Sequence, residues 1–237
     1  RLLGKLRRTA RRWPVLPEGG RLGLAISGGL DSLAMAYLVS EHNRRLKKPM
    51  DLLALHVRVD GDGETSGLSD AIRKWLDFRG LELIEVVPRI DISETGRLDC
   101  FSCARIRRRS LLETADARGA SHVALGHHAD DVVETWLMSL MFSGTAETIP
   151  PVRSYFGGAV TVVRPLYELK KQEIVRLARL ADLPEAVSPC TMERDAKRSK
   201  IRKVLGALGR DQSLVRRQLY WAAVRELEKT DVDMGRG

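Results

Sequence analysis

Five short apolar runs recur along the chain: "LGLAIS" (22–27), "LLALHVRV" (52–59), "LELIEVV" (81–87), "HVALGH" (122–127) and "AVTVVRPL" (159–166). Their residues do not alternate between apolar and polar, as the strands of a half-exposed sheet would. Each is followed by a helix-length segment, at 31–46, 66–79, 104–118, 130–142 and 170–181. Continuous apolar strands alternating with helices belong to a mostly parallel sheet covered on both faces. The expected fold class is therefore α/β, a doubly wound sheet occupying residues 21–184. Residues 1–20 form a basic lead, in which Leu2, Leu3, Leu6 and Trp13 among the arginines suggest one amphipathic helix. Pro14, Pro17, Gly19 and Gly20 end it. Residues 185–237 turn to charged, helix-only sequence and form a basic extension.

Charge narrows the partners. The chain carries a net charge of +9, with a pI near 9.8. Nine lysines and arginines fall between Arg194 and Arg217. A basic balance of this size fits a polyanion, most simply nucleic acid, although a solvated helix face has the same composition. No run has the length of a membrane span, and no secretion signal is visible. A cytoplasmic setting without membrane contact is expected. Residue 1 is arginine, so a start upstream is expected as well.

The first apolar run ends in "SGGLDS", Ser27 to Ser32, and a helix follows. Glycines at such a seam let the backbone turn sharply and approach a ligand, and the helix start offers N–H groups and a positive dipole end. This is phosphate-binding machinery, with Ser27, Gly28, Gly29, Asp31 and Ser32 as its candidate residues. Asp31 and Ser32 would equally serve as helix caps. Neither G-x-x-x-x-G-K-[ST] nor G-x-G-x-x-G is present. The hexapeptide resembles the PP-loop of the ATP-pyrophosphatase superfamily, whose members split ATP into AMP and pyrophosphate.

A second cluster, Gly126, His127, Asp130 and Asp131, closes the fourth run and opens the next helix. Strand ends of an open α/β sheet are where ligands bind. Asp130 and Asp131 are candidates to hold Mg²⁺ against phosphate oxygens. Arg164 is a candidate phosphate clamp, and His56 and Val57 end the second strand where an adenine would lie.

Cys100 and Cys103 have metal or redox spacing, and Cys190 follows Pro189 much later. Three thiols are too few for a four-cysteine zinc site. Spacing alone leaves open a [4Fe–4S] cluster, a zinc completed by water or histidine, a redox pair, or buried free thiols.

Taken in order, the PP-loop, "CFSC", "GHHADD", "RPL" and "SPC" resemble the tRNA 2-thiocytidine synthetase family over roughly residues 20–205. The resemblance implies ATP, Mg²⁺ and a [4Fe–4S] cluster on Cys100, Cys103 and Cys190, whose open iron carries the sulfide that is transferred. It implies tRNA as substrate and a sulfur donor, either a persulfide-carrying desulfurase or free sulfide. It leaves room for a homodimer. It also singles out Arg107, seven positions after the first cysteine, together with Asp130 and Asp131, as catalytic. In one place the chain departs from it. That family's loop usually has lysine where this chain has Leu30. A non-lysine loop also suits the tRNA-isoleucine lysidine synthetases, which need no cysteines. A thiolase acting on T-loop uridine is a further rival, though it usually has additional C-x-x-C pairs. A metal-binding, RNA-interacting or redox-sensing protein on the same scaffold is the non-enzyme alternative.

Overall fold

The computed structural model describes residues 1–58, 67–88, 100–186 and 196–234. Six strands make one sheet: β1 (Arg21–Ala25), β2 (Asp51–Val57), β3 (Glu82–Val86), β4 (His122–Ala124), β5 (Val152–Tyr155) and β6 (Val160–Val163). Their order is β3-β2-β1-β4-β6-β5. The first five in that order run parallel, and β5 pairs antiparallel with β6 at the edge. The doubly wound parallel sheet is thus as expected, with one strand that the apolar runs do not announce. β5 is half-exposed, with Arg153 and Ser154 outward, so it carries no continuous apolar run.

The helices are α1 (Leu2–Arg12), α2 (Leu30–Asn43), α3 (Asp70–Phe78), α4 (Cys100–Ala117), α5 (Ala129–Ser143), α6 (Lys171–Leu180), α7 (Ala196–Ala207) and α8 (Gln212–Met234). On one face of the sheet, Leu22 and Leu24 of β1 pack with Leu33 and Met35 of α2, Ile72 of α3 and Ile174 of α6. On the other face, Leu53, Leu55, Val123 and Val162 pack with Leu111, Leu112 and Ala115 of α4. Burying a leucine or valine stabilises by about 1.5–3 kcal/mol, which is why strands caught between two layers are apolar throughout. α2 is apolar around its circumference for the same reason, since Leu33, Ala34, Met35, Ala36, Leu38 and Val39 are all buried.

The basic lead does form a helix, and it packs. Leu6 and Val15 are fully buried in the core shared with α2. Lys5 reaches Glu173 at 2.7 Å, and Arg12 reaches Glu228 at 2.8 Å while lying over Trp13 and Trp221. The C-terminal helices cover α5: Val132 and Val133 meet Ile201 and Leu205 of α7 and Ala223 and Val224 of α8.

Because β1 pairs with β2 on one side and β4 on the other, the chain reverses its direction of travel between β1 and β4. The crevice at the carboxyl ends of these two strands is the switch point, where doubly wound folds bind ligands.

Candidate functional site at the switch point

The "SGGLDS" stretch leaves β1 at this crevice. Gly28 has φ of +81°, where a side chain would be strained, and Gly29 caps α2 with no side chain over the helix start. Two hydroxyls hold the turn. Ser32 donates to the Gly29 carbonyl at 2.7 Å and accepts from the Ser27 N–H and the Ser27 hydroxyl at 3.2 Å each. The Gly29 N–H donates to Ser27 Oγ at 3.3 Å. Ser32 is therefore a latch inside the loop rather than a helix cap.

The loop after β4 touches this one directly. A β-carbon on Gly126 would lie 2.8 Å from the carbonyl carbon and oxygen of Asp31 and 3.0 Å from the Ser32 nitrogen. Only glycine permits that approach. His128, next but one, is the N-cap of α5, and its N–H donates to Asp131 Oδ2 at 3.0 Å, half of a capping box. Burial alone would raise the Asp131 pKa, but His128 and His127 beside it hold it below the usual carboxylate range. Asp130 accepts from the Lys171 N–H at 2.8 Å and from Arg216 at 3.1 Å. Lys171 Nζ reaches Asp31 Oδ1 at 2.5 Å. His128 lies 3.5–3.7 Å from Asp31, Asp130 and Asp131, so four polar side chains from two strand ends converge.

His127 is buried. Desolvation first, then the Arg164 guanidinium, bring its pKa down to about 4, so the ring is neutral near pH 7. Its Nδ1 accepts from Arg164 Nε at 3.3 Å, and Arg164 also donates to the Pro150 carbonyl at 2.6 Å. Arg164 is only 5% exposed, and burial lowers its pKa to about 10. It stands behind the strand ends rather than out in the cleft. At the end of β2, His56 Nδ1 donates to the Ile26 carbonyl at 2.7 Å, and half-buried Val57 follows.

The cysteine pair lies on a helix. Sequence reasoning puts Cys100 in a polar stretch ahead of a helix from 104, yet α4 begins at Cys100. Cys100 and Cys103 are then about one helical turn apart along α4. Cys103 is a half-buried free thiol, and Arg107 Nε, one turn on, is buried without a hydrogen-bond partner among the described residues. Cys190 lies outside the described residues.

A cleft of about 1410 Å³ runs from Asp31 and Asp130 between α5, α6 and the C-terminal helices. Part of the basic sequence read as an RNA-facing run is spoken for here. Arg202 and Arg198 meet buried Glu134 of α5 at 2.9 and 3.7 Å, and Arg216 meets Asp130. Arg210 and Arg217 line the same cleft. Sequence reasoning missed Lys171 and Glu134, and it did not single out His128 although that residue lies in the "GHHADD" run. Glu134 also had a local signal, lying four and three residues beyond the two aspartates on one helix. Among the described residues no three His, Cys, Asp or Glu side chains form a metal site. Mg²⁺ commonly needs only one or two carboxylates beside the phosphates it carries, and this cluster provides those. No helix among the described residues is long and apolar enough to cross a membrane.

Comparison with known proteins agrees with this geometry. The PP-loop domain model matches residues 5–208. The chain is 32% identical over 215 residues to a tRNA-cytidine(32) 2-sulfurtransferase of Geobacter metallireducens, covering 88% of this chain and 82% of that one. It is 30% identical to the protein of the same name from Anaeromyxobacter sp. strain K, over 92% of this chain and 77% of that one. Among solved structures, the U34-tRNA thiolase NcsA from Methanococcus maripaludis, described with its [4Fe–4S] cluster, superposes with a TM-score of 0.78 at 24% identity, covering 95% of this chain and 80% of that one. A strand–PP-loop–helix at the switch point, a second loop packed on it through Gly126, and this likeness over nearly the whole chain place the protein in the PP-loop family, among the tRNA-cytidine(32) 2-sulfurtransferases.

Proposed function

We propose that the chain is an ATP-dependent tRNA sulfurtransferase that converts a cytidine of the anticodon loop, position 32 in its relatives' name, to 2-thiocytidine. One observation carries this reading: a PP-loop and a Cys-x-x-Cys helix both open onto the carboxyl edge of one sheet, in a chain 32% identical to such an enzyme. ATP lies across the strand ends, with its phosphates on the Ser27–Ser32 loop and its adenine near His56 and Val57. The start of α2 and the glycine turn supply N–H donors and a positive dipole to the phosphates. Asp130 and Asp131 hold Mg²⁺, with Asp31 beside them. The C2 oxygen of the base attacks the α-phosphorus, and the bond to the β-phosphate oxygen breaks with loss of pyrophosphate. Sulfide-level sulfur then adds at C2, and the C2–O bond breaks with AMP as leaving group. Activation matters because an oxide leaves poorly, whereas AMP leaves well.

Cys100, Cys103 and Cys190 supply three thiolates, a donor set that suits a [4Fe–4S] cluster with one iron free of protein ligands. Bound there, the cluster would present sulfur as a nucleophile that no side chain supplies catalytically. Arg107 supplies positive charge one turn beyond Cys103 and steers an anion toward the cysteines. Arg164, buried behind the strand ends, braces His127 and the Pro150 carbonyl rather than meeting ATP directly. Arg210 and Arg217 face tRNA phosphates. The sulfur donor is a desulfurase persulfide, accompanied by a two-electron reductant, or free sulfide.

Iron and acid-labile sulfide, measured on protein purified without oxygen, test this reading. About four of each per chain, lost in Cys103→Ser, are expected. Zinc, or no metal after reconstitution, would remove the thiolation mechanism and favour lysine ligation instead.

A further inference from the structure

The loop assigned to the phosphates brings no cation of its own. From Ser27 to Ser32 its only charged side chain is Asp31. A carboxylate beside a phosphate repels it. Leu30 cannot offset that, because it is half-buried against the core under α2. The cation at the loop comes from 140 residues further along the chain, where Lys171 Nζ lies 2.5 Å from Asp31 Oδ1.

Lys171 is held there at two points. Its own N–H donates to Asp130 Oδ2 at 2.8 Å, fixing the first residue of α6 against α5. Its side chain then crosses to Asp31. An ammonium has three donors, and one goes to Asp31. The side chain is still 42% exposed, and it lines the cleft. The remaining donors therefore face the volume that opens beside the loop. The start of α6 adds the positive end of a ten-residue helix at the same place.

We infer that Lys171 is the phosphate-binding cation of this site, standing in for a charge that the loop lacks. It neutralises Asp31 in the free protein and gives its other donors to the β- and γ-phosphate oxygens of ATP. The inference rests on the ATP-dependent reading. It adds a recruited residue that no loop motif announces.

Calorimetric titration of the full chain with MgATP and with adenosine tests it, in wild type, Lys171→Met, Lys171→Arg and Lys171→Met combined with Leu30→Lys. Losing the charge should weaken ATP binding about tenfold or more, the size of one well-placed ionic contact. Adenosine binding should stay within about twofold, because it has no phosphate for Lys171 to meet. Lys171→Arg should keep most of the affinity, and the lysine on the loop should restore much of it. A Lys171→Met protein that binds ATP like wild type, or that loses ATP and adenosine alike, would overturn the inference while leaving the ATP-dependent reading intact. Wild type that binds no ATP would overturn both. Lys171→Gln, closer in length and polarity, replaces the Met variant if the latter does not fold.

Discussion

Helices α2 and α4 both begin at the carboxyl edge of the sheet and cover opposite faces of it, yet their first turns are built on opposite plans. At α2 the polar groups close on one another. Ser27, Gly29 and Ser32 share four hydrogen bonds, and Asp31 is tied to Lys171. At α4 no such closed set stands among the described residues, where Cys103 is in no disulfide and Arg107 Nε is buried with no hydrogen-bond partner. The phosphate half of the site is preorganised by the chain's own contacts. The proposed sulfur half offers cysteines and an arginine on one helix, for a group that the chain does not itself contain. Preorganised donors cost little reorganisation when a ligand arrives, which suits repeated binding of ATP. Thiolates in an electropositive setting suit a metal that stays.

The contrast predicts that the two halves fail separately. The largest effect should come from Cys103→Ser, which should cut 2-thiocytidine formation about a hundredfold or more while leaving the ATP dissociation constant unchanged. Mass spectrometry of digested tRNA and ATP titration check the two parts. Thiolation that survives would remove the sulfur role of α4.

Acid should act next, through His127. His127 is neutral in the folded protein because burial and Arg164 bring its pKa to about 4, while an unfolded histidine protonates near 6.5. Between those values the unfolded state binds more protons, so this contribution to stability is complete above the unfolded pKa and is lost as the pH falls toward 4. Urea unfolding should show about 2 kcal/mol less stability at pH 5 than at pH 7.5 from this group. His127→Asn should flatten that slope, and an unchanged slope would mean that the proton goes elsewhere.

Gly126→Ala pushes a methyl group against the Asp31 main chain at 2.8 Å, with backbone on both sides and little room to give. A loss of about 1–3 kcal/mol in stability, with weaker ATP binding, is expected from chemical unfolding and titration. Wild-type behaviour would mean that the two loops are less tightly joined than they stand here. Ser32→Ala is the mildest change. It removes the latch of the loop, for about 1 kcal/mol and a few-fold in ATP affinity.

What could be read from the sequence follows from what is local. The parallel strands declare themselves because burial on both faces demands unbroken apolar runs. β5 does not, since an edge strand with Arg153 and Ser154 facing water has no such demand. "SGGLDS" and Gly126 are legible because turn geometry and close approach are properties of a few residues. Lys171 and Glu134 are not, because their meaning lies in ion pairs between segments far apart in the chain. Asp131 reads as a metal ligand in sequence, and in the fold it also closes the capping box of α5. Arg164 reads as a phosphate clamp in sequence, and in the fold it is buried against His127 and Pro150. The pairings of Lys171, Glu134 and Arg164 depend on tertiary contacts, which no local pattern encodes, whereas the capping box is local.

The most direct test is nucleoside analysis of one tRNA after incubation with oxygen-free, cluster-loaded protein, MgATP and sulfide. The tRNA would be supplied with cytidine at position 32 and, separately, with uridine there. The account predicts 2-thiocytidine in the first tRNA only, strictly dependent on ATP, with AMP and pyrophosphate formed in step. A cytidine left unmodified, or a thiolated uridine in either tRNA, would contradict it.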